Sequence, residues 1–181
     1  MGGAVLVSLG TSLAISRLND DGAVNLGQPG SYAEPQPIGT APNLTGQALP
    51  DLPVTDLEGA ASSLASVRGP AVVNLWATTC TACRAEMADF ESVHQELGST
   101  VRFIGLNVSD PVDRAESYAR DVGISYDLLV DPTHNDIATA LKVPALPATL
   151  FVDRTGTVRD LHLGALDATR LRSLVTDRLG V

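Results

Sequence analysis

The stretch from Val72 to Met87, VVNLWATTCTACRAEM, limits what this chain can fold into more than any other part of it. An unbroken apolar run ending at Trp76 predicts a buried strand, and the spacing of apolar residues from Arg84 to Leu97 predicts a helix. Cys80 and Cys83, the only two cysteines among the 181 residues, stand between them as C-x-x-C. The pair is therefore expected where a strand turns into a helix.

A helix N-terminus changes the chemistry of a cysteine placed there. Its first N–H groups have no partner within the helix and carry a partial positive charge, which favours a thiolate over a thiol. A disulfide between residues this close would close almost no loop and would add little stability through chain entropy. Because 44% of the residues are hydrophobic, the chain can form a core without such a bridge. We therefore interpret the pair as reactive rather than structural.

The residues around the pair resemble the TlpA-like/ResA-like branch of the thioredoxin superfamily, whose core reads W-x-x-W-C-x-x-C-[KR]-x-E. The matching positions hold Trp76, Cys80, Cys83, Arg84 and Glu86. The resemblance covers residues 49–181. It implies an α/β thioredoxin fold with a central mixed β-sheet flanked by helices, an N-terminal extension and a central helix and strand insertion. It also implies a thiol-disulfide oxidoreductase that acts outside the cytoplasm.

The segment Leu146-Pro147-Ala148-Thr149 resembles the loop that faces the cysteines in this family, where the proline is cis; Pro144 is expected to be trans. Three positions differ from the family pattern. Thr79 replaces the usual Trp before the first cysteine, Thr81-Ala82 lacks the common Pro, and Ala88 replaces a frequent helix-kinking Pro. These differences leave the reaction type unchanged, and they leave the substrate and the reduction potential open.

The resemblance implies a role for each residue of the site. Cys80 attacks a partner's disulfide, Cys83 resolves the mixed disulfide and forms the Cys80–Cys83 disulfide, and Glu86 handles protons or tunes Cys83. A buried negative carboxylate at Glu86 would raise the pKa of Cys83. Trp76 is expected mainly to pack beneath the site. The residues expected to contact the partner are Leu146, Pro147, Trp76 and Thr79.

The resemblance also implies the partners of the reaction. Electrons would come from a membrane-embedded thiol carrier and pass to exported proteins that bear disulfides or thiols, apocytochrome c among them. No prosthetic group and no metal are expected, because the cysteine pair itself holds the electrons, and the chain is expected to be a monomer. The net charge of -9 and the lack of a basic run argue against nucleic acid and anionic lipid as partners.

The first 48 residues divide into two segments by composition. Residues 1–16 are apolar, and their length suits a signal h-region better than the about 20 residues that a membrane-spanning helix needs. No basic residue precedes them. We expect a signal or membrane-anchor remnant, with a start that lies upstream and a disordered tail as alternatives. Residues 17–48 are rich in Pro and Gly and are interpreted as a flexible linker. The expected location is extracytoplasmic, anchored or secreted.

Sequence patterns also predict the remaining elements. Strands are expected at Leu52–Leu57, Val101–Val108 and Tyr126–Val130, and as a hairpin at Ala148–Asp153 and Thr157–Leu161. Helices are expected at Ser62–Val67 behind a serine cap, after Asp110 as N-cap with Pro111 in the first turn, between Thr133 and Leu141 with Asp136 completing the cap, and after Asp167 as N-cap.

Other functions also use two nearby cysteines. Zinc needs four ligands, and no histidine stands at zinc-finger spacing from the pair. Cu(I) accepts two thiolates, so an extracytoplasmic copper-delivery module is the main alternative, although copper chaperones of this fold resemble C-x-x-x-C. A peroxidase of the P-x-x-x-[TS]-x-x-C type is excluded, because Val73 and Ala77 stand where it needs Pro and Thr or Ser.

Several of these residues also have simpler interpretations. Glu86 could be only a charge that the helix dipole favours in a first turn. Pro144 and Pro147 could both be ordinary loop prolines. His94, His134 and His162 have no predicted partner and are expected at the surface.

Overall fold

The computed structural model describes residues 41–181, so the segment predicted at 1–16 and most of the one predicted at 17–48 lie outside the described residues. The strands are β1 (Pro53–Asp56), β2 (Ala61–Ser63), β3 (Ala71–Trp76), β4 (Arg102–Asn107), β5 (Asp127–Val130), β6 (Ala148–Val152) and β7 (Val158–Leu163). The helices are α1 (Thr81–Leu97), α2 (Val112–Asp121), α3 (Asp136–Ala140) and α4 (Ala168–Leu179).

These strands form one mixed sheet in the order β2-β1-β5-β4-β3-β6-β7. Strands β3, β4 and β5 are parallel, whereas β6, β7, β1 and β2 pair antiparallel with their neighbours. The carboxyl ends of the three parallel strands therefore lie at one edge of the sheet, together with the start of β6. This edge brings the loops that follow β3, β4 and β5 next to the Leu146–Pro147 loop.

Core residues pack on both faces of the sheet, and β3 is therefore buried at every position. On one face, Val73 and Leu75 belong to a cluster that includes Ile137 of α3. On the other face, Val72 belongs to a cluster that includes Phe90 of α1 and residues of α4. This alternation confirms that β3 is a fully buried central strand, as the continuous apolar run predicted.

Helix α1 begins earlier than its apolar spacing predicted. It starts at Thr81, with Cys80 in extended backbone as its N-cap, rather than near Arg84. The prediction followed buried positions, and Thr81 and Ala82 in the first turn are exposed and carry no apolar signal. The expected position of the cysteine pair at the helix N-terminus is confirmed.

Two of the predicted helix caps are wrong. The N-cap of α2 is Pro111, which makes no side-chain cap bond, and the Asp110 carboxylate turns towards another loop. At α3, the N-cap position belongs to Asn135 rather than Thr133, and Asp131 accepts the N–H of Ile137 instead. Sequence spacing predicts caps from the residues next to a helix start, so it does not identify a carboxylate that reaches the helix from several residues upstream.

Smaller differences concern the ends of the domain and its first short helix. The helix predicted at Ser62–Val67 is a single 3-10 turn at Leu64–Ser66, capped by Ser63. Upstream of residue 49, Gly46 donates its N–H to the Val158 carbonyl at 2.8 Å. The contacts of the domain therefore begin slightly before the predicted boundary.

Candidate active site

Cys80 and Cys83 form a disulfide at the N-terminus of α1. The backbone N–H of Cys83 points at the Cys80 sulfur, with the nitrogen 3.1 Å from it. Cys80 is partly exposed, whereas Cys83 has no exposed surface. A partner can therefore approach Cys80 but not the buried Cys83, and helix N–H groups are in place to stabilise a thiolate at Cys80.

An apolar cluster lies beneath the disulfide. Cys83 packs with Trp76, Met87 and residues of α2 and β5, and Cys80 lies against the same cluster. The ring of Trp76 is fully buried and stands 5.9 Å from the ring of Tyr118. Trp76 therefore supports the site from below, and in this conformation it presents no surface to a partner.

Glu86 lies one turn after Cys83 and is fully buried. Its Oε1 accepts a hydrogen bond from the Asn74 side-chain amide at 2.8 Å, and its Oε2 accepts one from the backbone N–H of Leu166 at 2.9 Å. A carboxyl with no exposed surface is not a solvated charge at the start of a helix. The simpler interpretation of Glu86 is therefore wrong.

The surroundings of Glu86 make it titrate near neutral pH. Burial raises its pKa to about 8, although the N–H groups of Leu166 and Asn74 favour the ionised form. The nearby charge of Asp89 raises the value further. A carboxyl with a pKa in this range can both accept and donate a proton at physiological pH.

The loop before β6 reaches the same cluster. Leu146 packs against the apolar residues that surround Cys83, and it is partly exposed beside the partly exposed Cys80. The Leu146–Pro147 bond is cis, as predicted, and Pro144 is not preceded by a cis bond; Gly69–Pro70 is a second cis bond that the sequence did not indicate. Thr79 is exposed directly before Cys80. Cys80, Thr79 and Leu146 thus offer accessible surface at one edge of the sheet.

Sequence reasoning missed residues that contact the site through hydrogen bonds. Asn74 and Thr149, whose hydroxyl oxygen lies 3.3 Å from the Asn74 amide nitrogen, are not among the predicted site residues. Asp110 accepts the side-chain amide of Asn107 and the backbone N–H of Thr78, in the loop before Cys80. A polar residue inside or directly after a buried apolar strand was the available signal.

The histidines are not all surface residues. The ring of His94 meets the rings of Phe103 and Tyr126 edge-on, and its Nδ1 is buried. His162 is partly buried, and this burial lowers its pKa. Only His134 is exposed as predicted. Within residues 41–181, no three His, Cys, Asp or Glu side chains are grouped as metal ligands would be.

Comparison with known proteins also indicates thiol-disulfide exchange. The model of the AhpC/TSA family matches residues 45–161. The chain is 30% identical over 125 residues to the thiol-disulfide oxidoreductase ResA of Geobacillus thermodenitrificans, which covers 67% of this chain and 70% of that protein. It is also 30% identical over 132 residues to the thiol:disulfide interchange protein DsbE of Vibrio cholerae, with coverage of 69% and 68%.

A solved structure confirms the fold. The crystal structure of a secreted Mycobacterium tuberculosis disulfide oxidoreductase superposes with a TM-score of 0.62 and 24% identity. The match covers 70% of this chain and 96% of that one. The predicted thioredoxin-like arrangement is therefore confirmed. No helix within residues 41–181 is long and apolar enough to cross a membrane.

Proposed function

Since this chain belongs to the AhpC/TSA family and is a thiol-disulfide oxidoreductase, we propose that Cys80 exchanges disulfides with exported proteins and that Cys83 resolves the resulting intermediates. One observation carries this proposal above the others. In the Cys80–Cys83 disulfide, at the N-terminus of α1, Cys80 is partly exposed, whereas Cys83 has no exposed surface. Accessibility and the helix dipole assign the attack to the same residue.

In the reducing direction the exchange has two steps. The Cys80 thiolate attacks one sulfur of the partner's disulfide, which forms a mixed disulfide and releases one partner thiolate. The Cys83 thiolate then attacks the Cys80 sulfur, re-forms the Cys80–Cys83 disulfide and releases the second partner thiolate. Two electrons pass from this chain to the partner, and protons are taken up by the released thiolates. The oxidising direction is the reverse.

Glu86 serves the second step. Before Cys83 can attack, its buried thiol must lose a proton in surroundings that disfavour a charge. Glu86 is one turn away on the same helix and titrates near pH 8, so a fraction of the molecules has an ionised carboxylate that can accept this proton. The Asn74 and Leu166 N–H groups stabilise that ionised form.

The partner docks beside the Leu146–Pro147 loop. Leu146 and Thr79 offer accessible surface on the two sides of Cys80, and the backbone of the loop can pair with an extended segment of the partner. Pro147 itself is buried and shapes the loop rather than forming its outer surface. The reaction needs no prosthetic group, because the two sulfurs carry the electrons between donor and acceptor.

The location and the electron donor follow from the family resemblance and from the composition of residues 1–48. We assign the chain to the extracytoplasmic side of a membrane, where a membrane-embedded thiol carrier reduces it. Its oxidised substrates there include exported proteins such as apocytochrome c. The secreted neighbour from Mycobacterium tuberculosis is consistent with this location.

Trapping of mixed disulfides tests the assignment of the two cysteines. We expect Cys83→Ser to accumulate covalent complexes with partners, because Cys80 still attacks and nothing resolves the product. Cys80→Ser should trap almost none. Non-reducing gels of both variants, with the parent chain as control, measure the difference, and mass spectrometry identifies the trapped proteins. Equal trapping by the two variants, or complexes only with cytosolic proteins, would contradict the proposal.

A further inference from the structure

Two aspartates occupy equivalent places after neighbouring parallel strands. Asp110 follows β4 and precedes α2, and Asp131 follows β5 and precedes α3. Both are at least 98% buried. In each case hydrogen bonds outweigh the effect of burial and lower the pKa of the carboxyl, so both residues are ionised at neutral pH. Their carboxylates nevertheless bind different parts of the chain.

Asp131 organises the turn and helix that follow it. Its Oδ2 accepts the backbone N–H groups of Asn135 and Ile137, and its Oδ1 accepts the N–H and the hydroxyl of Thr133. All of these donors lie between two and six residues downstream. This carboxylate therefore acts locally, as a cap for the beginning of α3.

Asp110 leaves its own helix without a side-chain cap. Its Oδ2 accepts the backbone N–H of Thr78 at 2.6 Å and the Asn107 amide at 2.8 Å, and its Oδ1 accepts the Thr78 hydroxyl at 2.7 Å. Pro111 is then the N-cap of α2, and it makes no side-chain cap bond. The Asp of an Asp-Pro pair at a helix start normally supplies that cap. Here the Asp110 carboxylate binds the distant Thr78 in place of the first N–H groups of α2.

The loop that Asp110 binds carries the attacking cysteine. Thr78 lies inside a turn in which the Cys80 N–H donates to the Ala77 carbonyl at 3.1 Å. The Cys83 side is held by α1 and by the core, whereas Cys80 stands at the N-cap, where the helix meets this turn. The two bonds from Thr78 to a buried, ionised carboxylate hold this turn to the end of β4.

We propose that Asp110 is a positioning residue that, through Thr78, holds the Cys80 sulfur in the geometry from which it attacks a partner's disulfide. The inference rests on the proposed role of Cys80 as the attacking residue. Attack on a disulfide requires the incoming sulfur to approach along the axis of the bond that breaks, so a small displacement of the turn reduces the rate.

Two substitutions at Thr78 separate positioning from general stability. Thr78→Val keeps the shape and loses the hydroxyl, whereas Thr78→Ser keeps the hydroxyl. Asp110→Asn removes the charge, and Asp131→Asn is the matched control at the equivalent place after β5. For each reduced full-length chain, the second-order rate constant with a small aromatic disulfide is divided by the fraction of Cys80 thiolate, obtained from the ultraviolet absorbance titration. Thermal melting is recorded in parallel.

We expect Thr78→Val and Asp110→Asn to lower the rate per thiolate about tenfold, while Thr78→Ser stays within about twofold of the parent. Asp131→Asn should lower the melting temperature and leave this rate unchanged. Correction for ionisation is needed because Asp110→Asn also removes a negative charge near the loop. Should Asp110→Asn fail to fold, the two Thr78 variants decide the question.

The proposal is overturned if Thr78→Val reacts at the parental rate per thiolate, or if Asp131→Asn slows the reaction as much as Asp110→Asn does. The first result would mean that the hydrogen bond between Thr78 and Asp110 only stabilises the fold. The second would mean that both aspartate substitutions slow the reaction by loosening the same edge of the sheet. Failure of the proposed function looks different, because the parent chain itself would then form no mixed disulfide through Cys80.

Discussion

At the scale of single residues, the buried carboxyl of Glu86 determines how the site handles protons. The sequence led us to expect a negative carboxylate that raises the pKa of Cys83. Because burial raises the pKa of Glu86 itself to about 8, most molecules at pH 7 carry this carboxyl protonated and neutral. We therefore expect its charge to act on Cys83 mainly above pH 8, and we propose that below that pH Glu86 carries a proton for the reaction.

The hydrogen bond from Asn74 gives a direct test of this account. Its amide stabilises the ionised carboxylate, so Asn74→Ala should raise the pKa of Glu86 above the parental value of about 8. Carbon-detected NMR titration of the Glu86 carboxyl measures the shift. The partly exposed Glu91, on the same helix, should titrate as in the parent. A pKa that stays in place or falls would show that the amide does not stabilise the charge.

A second test at this scale uses the thiols. Glu86→Gln keeps the shape and removes the titrating proton, so the rise in the rate of partner reduction around pH 8 should disappear from the pH profile. The titrations of Cys80 and Cys83 must be followed together, because the measured pKa values belong to the coupled pair and not to either thiol alone. If the profile and both thiol titrations of Glu86→Gln match those of the parent, Glu86 has no part in the reaction.

At the scale of elements, aspartates that follow strands or precede helices bind partners at very different distances along the chain. Asp167 acts in the simplest way, since its Oδ1 accepts the N–H of Arg170 at the beginning of α4. Asp131 reaches six residues to α3, and Asp110 reaches 32 residues back to Thr78. Identical side chains at similar places thus serve a helix in two cases and the cysteine loop in the third.

The short helix α3 should depend strongly on Asp131. Helix α3 has five residues, which is too few to be stable alone, and the Asp131 carboxylate bonds to its first turn. Asp131→Ala should lower the free energy of unfolding by about 2 kcal/mol, since it leaves the buried N–H of Ile137 and the partly buried donors of Thr133 and Asn135 without their acceptor. Hydrogen exchange should speed up within residues 133–141.

Asp136→Ala is the matched control for this prediction. Asp136 is exposed in the first turn of the same helix, so its loss should cost about 0.5 kcal/mol through the helix dipole alone. Urea unfolding measures both variants. Equal destabilisation by the two substitutions would mean that the contacts of Asp131 contribute nothing beyond its charge.

At the scale of the whole molecule, Glu86 makes the stability depend on pH. In the unfolded chain Glu86 loses its proton near pH 4.5, whereas in the folded chain it keeps the proton up to about pH 8. Between these values the folded state binds more protons, so stability falls as pH rises, by up to about 1.4 kcal/mol per pH unit, and becomes constant above the folded pKa.

Comparison with a variant isolates this effect from other groups. The lowered pKa of His162 works in the opposite direction, because its unfolded form binds more protons below pH 6.5. The difference in unfolding free energy between the parent and Glu86→Gln cancels that contribution. We expect the parent to lose stability relative to Glu86→Gln as pH rises from 5 to about 8. A difference that stays constant over this range would show that Glu86 is already ionised in the folded state.

Local signals in the sequence were enough to predict most of the architecture. The apolar run of β3, the mostly apolar segment Ala148–Val152 and the turn before Val158 predicted their elements, because continuous apolar runs favour strands that are buried on both faces. The position of the C-x-x-C pair between a predicted strand and a predicted helix likewise located the edge of the sheet that carries the cysteines. Propensity and burial pattern act over a few residues, and the sequence displays them directly.

Only the tertiary structure decided which side chains surround the cysteines. Asn74 lies in β3, Glu86 in α1 and Leu166 in the loop before α4, and Asp110 meets Thr78 across 32 positions. These contacts arise because parallel strands end at the same edge, and no local pattern records which residues will meet there. The pKa of about 8 at Glu86 has the same origin, since burial depends on everything that packs around a residue. Sequence spacing therefore located the cysteine pair, and the packing of distant elements determined which side chains surround it.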